Sequence, residues 1–112
     1  MKNIINQSRE LTNQEIYFLT MSPKSGSVKD HVGERIKVSA WVVFEDTDKK
    51  NGEVHEVLSI LTPDNEVFSS VSPTFKGDFM DMAELFHNDF SFEIVSGKSK
   101  AGREYVTCYL AI

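Results

Sequence analysis

From Arg35 onward, apolar residues recur at every second position, except in one stretch where the spacing becomes three and four. A period of two belongs to strands, whose side chains alternate between faces, and a period near 3.6 belongs to helices. Arg35 to Glu45 (RIKVSAWVVFE) sets Ile36, Val38, Ala40, Val42 and Phe44 against Arg35, Lys37, Ser39, Trp41 and Val43, and predicts one long strand with one buried face. Val54 to Thr62 and Glu66 to Val71 predict two more strands, joined by a tight turn at Pro63-Asp64-Asn65. The period then changes. Phe75, Phe79, Met82 and Phe86 form one apolar stripe of a helix, with Ser72 and Pro73 as its start signal. Phe90 to Val95 and Arg103 to Ile112 alternate again, around a loop Ser96 to Gly102 that holds two glycines.

The part before Arg35 is less patterned. Residues 1–14 read as a flexible arm, Glu15 to Thr20 (EIYFLT) as an added strand rich in β-formers, and Ser22 to Gly33 as a loop. Residues 15–112 then make a single all-β domain with one helix. The order strand, strand, strand, helix, strand, strand is that of the OB-fold, a five-stranded Greek-key barrel, here with an extra N-terminal strand. Small SH3-like barrels and α+β sandwiches are the competing layouts.

Several function classes fall away. Eight Phe, three Tyr and one Trp supply a core, so disorder throughout is excluded, and one cysteine, Cys108, excludes a disulfide scaffold. No apolar run approaches the ~18 residues of a membrane span. The polar start, Met1 to Glu10, lacks the centre of a signal peptide, which points to a reducing cytoplasm. His31, His55 and His87 have no metal spacing, and Cys108 reads as a small core residue. Asp46-Thr47-Asp48 begins like a calcium loop, but the rest of that motif is missing. No phosphate-binding loop or nucleophile motif occurs, so neither an enzyme nor a cofactor is expected.

The strand faces opposite the apolar set carry more information. Trp41 lies opposite Ile36 and Val38, Phe68 lies among alternating residues, and Tyr105 and Tyr109 oppose Val106 and Cys108. Outward aromatics suit the bases of a single strand, since every base has a π-face. Cations flank them: Arg35 and Lys37 on the first strand, Lys49 and Lys50 in the first loop, and Lys98, Lys100 and Arg103 in the last. In OB-folds these two loops border the binding face. The net charge of −5 is concentrated, because Asp78, Asp81, Glu84 and Asp89 fall in a stretch without Lys or Arg. Without that stretch the net charge is −1.

Ser59 to Ser72 (SILTPDNEVFSSVS), the acidic helix after it and the closing FSFEIVSGKSKAGREYVTCYLAI resemble the single-stranded-DNA-binding proteins of small tailed phages with protein-primed replication, the phi-twenty-nine group. The resemblance covers about Val54 to Ile112 and rests on spacing and a few residue types. It implies a viral protein in the bacterial host cytoplasm that coats displaced strands during DNA replication, without catalysis. The family's binding-face aromatic carries over to Phe68, and more loosely to Trp41.

The expectation is therefore sequence-independent binding of single-stranded DNA. Trp41 and Phe68 stack bases, aided by Phe44 or Tyr105, and the seven cations neutralise phosphates. Self-association or replication proteins are the further partners, and no membrane is expected. The alternative is a protein-interaction module centred on Trp41, which the net acidity favours.

Overall fold

The computed structural model describes residues 3–21, 26–47, 49–87 and 89–111. Over these described residues the chain is mostly β, with two α-helices and a short 3₁₀ turn at Val28–His31. The strands are β1 (Asn3–Gln7), β2 (Gly26–Ser27), β3 (Arg35–Lys37), β4 (Ala40–Thr47), β5 (Val54–Leu61), β6 (Val67–Ser70), β7 (Ser91–Lys98) and β8 (Glu104–Leu110). The helices are α1 (Asn13–Thr20) and α2 (Pro73–Phe86). One sheet has the order β1-β4-β5-β6-β2 and the other β3-β7-β8. Among the described residues β6 and β8 do not pair, so the barrel expected from the sequence is not closed.

The long strand expected over Arg35 to Glu45 changes sheets part-way. The Val38 amide donates to the Phe90 carbonyl beside β7, while the next amide, Ser39, donates to the Leu61 carbonyl on β5. β3 pairs antiparallel with β7 and β4 with β5. The handover also shifts the alternation by one residue. Ile36 and Val38 share a core with Trp41 and Val43, whereas Ala40, Val42 and Phe44 face the other way.

Both faces of the five-stranded sheet are consequently buried. One looks into the main core, where Phe75 and Phe79 of α2 meet Phe92, and the four rings Phe75, Phe79, Phe90 and Phe92 are at most 4% exposed. The other face lies under the N-terminal segment, with Leu19 of α1 over Val42 and Phe44 and with Ile4 and Leu11 at the margin.

Two expectations for that segment are corrected. Residues 3–7 are not a loose arm but form β1, antiparallel to β4, with a bulge between Ile4 and Asn6. Ser8 secures the junction, its amide donating to the Trp41 carbonyl and its hydroxyl accepting from the Trp41 amide, both at 3.0 Å. Residues 15–20 are not a strand but lie in α1. Thr12 accepts from the Glu15 amide while the Glu15 carboxylate accepts from the Thr12 amide, a capping box. Arg9 adds a two-armed bond to the same carboxylate at 2.6 and 3.1 Å. That guanidinium, with help from the Thr12 amide, holds the Glu15 carboxyl down at about 2. Local capping thus outweighs the β preference of Ile16, Tyr17 and Phe18. The expected loop from Ser22 lies outside the described residues as far as residue 25, as does Asp48.

Within the described part of that expected loop, Gly26–Ser27 form β2 and Val28–His31 the 3₁₀ turn, whereas the elements after β4 follow the sequence pattern. Ser72 caps α2 by accepting from the Phe75 amide, and Pro73 occupies the first helical position. Asn65 takes the left-handed backbone (φ 64°) that the β5–β6 turn requires. Cys108 is 2% exposed in the main core, and burial, with the nearby Asp78 carboxylate, pushes its thiol up to about 12. A thiolate is the reactive form of cysteine. The native protein is therefore expected to resist thiol reagents at neutral pH and to react fully in denaturant. Fast labelling without denaturant would mean that β8 opens readily.

Candidate functional site

Three of the four aromatics expected at the site are interior. Trp41 is 6% exposed, and its indole meets Phe79 edge to face with centroids 6.2 Å apart. Its indole N–H finds no acceptor among the described residues. Phe68 is 4% exposed and meets His31 at right angles with centroids 4.9 Å apart, and the His31 Nδ1 lies 2.5 Å from the Glu34 carboxylate. Phe44 lies beneath α1. None of these rings offers a face to a base in the folded protein. The one-residue slip at Val38–Ser39 turns Trp41 inward, and the N-terminal segment covers what would otherwise be an open face. Trp41 emission is therefore expected to be blue-shifted in the free protein. Emission near that of free tryptophan would show that the indole is hydrated after all.

Of the exposed aromatics, Tyr17 lies on α1 and Phe86 at the end of α2, and the other two are on the β3-β7-β8 sheet. Tyr109 is 60% exposed and Tyr105 38%. Cross-strand partners share a face. Arg35 on β3 stands opposite Glu93 on β7, which stands opposite Tyr109 on β8, so these three form one row. Tyr105 and Tyr109 are four residues apart, roughly 13 Å along the strand. Tyr105 stands opposite Gly97, and a Cβ at that position would come within 2.7 Å of the tyrosine ring. The glycine lets the ring lie flat over the neighbouring strand. Between the two tyrosines, Thr107 is buried and its hydroxyl bonds the Asp78 carboxylate of α2.

The cations separate into three groups. Arg35 and Lys37 lie on the tyrosine sheet but each has an acid, with Arg35 Nε 3.4 Å from Glu93 and Lys37 Nζ 3.2 Å from Asp89. Lys98, Lys100 and Arg103 are exposed at the β7–β8 hairpin and form no ion pair with a described residue. That tip is held by its own backbone, the Ser99 amide donating to the Arg103 carbonyl and the Gly102 amide to the Ser99 carbonyl. Lys49 and Lys50 are exposed on the β4–β5 connection, which belongs to the other sheet.

The structure thus brings together Tyr105, Tyr109, Arg35, Lys37 and the hairpin cations, and separates Trp41, Phe68 and Phe44 from them. Tyr109 is the residue most easily passed over, although strict alternation along β8 already sets it outward. Two of the four segregated acids, Asp78 and Asp89, lie against this sheet and lower its positive potential. Among the described residues no group of three or more His, Cys, Asp or Glu side chains is arranged to hold a metal ion, and no helix is long and apolar enough to cross a membrane. No protein-family model, no curated protein and no solved structure matches the chain.

Proposed function

We propose that this protein binds single-stranded DNA without sequence preference, through the outer face of the β3-β7-β8 sheet. The observation that supports this reading best is the pair of exposed tyrosines on β8 beside a hairpin with three cations that have no acid partner among the described residues. Stacking on an aromatic face is sequence-tolerant and contributes ~1–3 kcal/mol per base. The hairpin cations meet phosphates. Trp41, Phe68 and Phe44 act as core residues, and Lys49 and Lys50 have at most a distant role.

The pairing pattern favours an OB-type relationship. With β3 and β4 counted as one bent strand, the pairings β4·β5, β5·β6, β3·β7 and β7·β8 are four neighbours of that barrel. The fifth, between β6 and β8, is lacking, and β2 runs parallel to β6 at its edge. The resemblance to phage single-strand-binding proteins adds the setting: coating of displaced strands during viral replication in a bacterial cytoplasm. An interface built on Trp41 loses its support, because the chain's own residues cover that ring.

The test is a titration with oligo(dT) at several salt concentrations. For single strands, log K falls with log salt by ~0.7 per neutralised phosphate. Replacing Lys98, Lys100 and Arg103 together by alanine is expected to flatten that slope by about 2. Absence of binding at low salt would sink the reading. An unchanged slope would move the phosphate contacts elsewhere.

A further inference from the structure

Resting on that reading, we propose that the groove at the open seam between β6 and β8 takes one nucleotide of the bound strand, with Tyr105 as the wall it shares with the tyrosine face. The groove encloses about 690 Å³ and runs between the 3₁₀ turn, the end of β6 and the start of β8. That volume falls within the range of small-molecule sites, roughly 300–1,000 Å³. Two apolar side chains on its rim are uncovered, Val71 at 59% and Tyr105 at 38% exposed.

The polar groups in the groove match a base edge of any sequence. Ser70 is 8% exposed and its hydroxyl oxygen accepts the Ser72 amide at 3.1 Å. The Ser72 hydroxyl oxygen in turn accepts the Phe75 amide at 3.4 Å. With those lone pairs engaged, each hydroxyl still has its proton to give, and neither donates to a described residue. All four DNA bases carry acceptor atoms. Two donors beside Val71 and Tyr105 therefore hold a base without selecting it. Asp30 and Glu104 also line the groove and repel phosphate, whereas Lys29, which has no ion pair among the described residues, attracts it. The base accordingly lies inward against Tyr105 and the phosphate lies toward Lys29.

Methyl NMR on the full chain reads this directly, because Val28, Val71 and Val106 all line the groove. Oligo(dT) is expected to shift these three methyl signals. Val71→Glu replaces an exposed side chain and is expected to weaken oligo(dT) binding roughly fivefold or more, the loss of about one stacking contact. If bound oligo(dT) shifts signals near Tyr109 but leaves these valines unmoved, the groove is not a subsite and the tyrosine face stands alone. If thymidine monophosphate moves the valines and the oligonucleotide does not, the groove is a free-nucleotide pocket and the proposal fails. If no oligonucleotide binds at all, the proposal and the function it rests on fail together.

Discussion

Replacing both Tyr105 and Tyr109 by alanine is expected to weaken oligo(dT) binding by roughly thirtyfold or more. The estimate takes the lower end of the stacking range, ~1 kcal/mol per base, for each of two bases, with tenfold for every 1.4 kcal/mol. The loss should persist at raised salt, because stacking releases no counterions, and this separates it from the effect of the hairpin cations. Tyr109 is well exposed and should contribute little to folding, so a binding defect in Tyr109→Ala alone cannot be ascribed to unfolding. Equal affinities for the wild type and the double variant would show that the tyrosine face is not where bases stack.

Phe79→Ala acts on the fold instead. The ring is fully buried and contacts Trp41, Phe75, Phe90 and Phe92, with centroids between 5.4 and 6.4 Å. Removing a buried phenyl costs about 3–5 kcal/mol, from lost transfer free energy and the cavity left behind. Against a typical domain stability of ~5–15 kcal/mol, that is a large part of the total. Urea denaturation should show the midpoint falling sharply while the slope is unchanged. A variant within about 1 kcal/mol of wild type would mean that the core collapses onto the gap, contrary to the close packing of four phenyl rings around α2.

Legibility in the sequence follows from how each element is stabilised. β5, β6, α2, β7 and β8 are readable because their apolar residues recur with a clear period between turn signals, even where both faces of a strand are buried. The run from Arg35 was readable as β but not in its phase. Trp41 and Val43 are as apolar as Val42 and Phe44, and both faces of β4 are buried, so alternation there does not separate inside from outside. The chain also changes sheets at Val38–Ser39 without a glycine or proline to announce it. Helix α1 is hidden in the sequence because Ile16, Tyr17 and Phe18 favour strands, while the deciding signal, Thr12 followed by Glu15, sits just ahead of them. The phase error moves Trp41 to a surface it does not occupy, the burial of both faces of the sheet does the same for Phe68, and Tyr109, correctly outward, is left out of the expected stacking residues.

The passage of one extended segment from β3 into β4 also bears on how the protein unfolds. Its first half is bonded to β7 and its second to β5, so neither sheet can peel away without pulling on the other through a continuous backbone. Forming the first half requires Arg35 to meet Glu93, 58 residues away in the chain. Encounters that distant make for slow folding, in the range of milliseconds to seconds for small domains rich in such pairings. The segment therefore works as a crosslink that is made late and, once made, joins two sheets into a single cooperative unit.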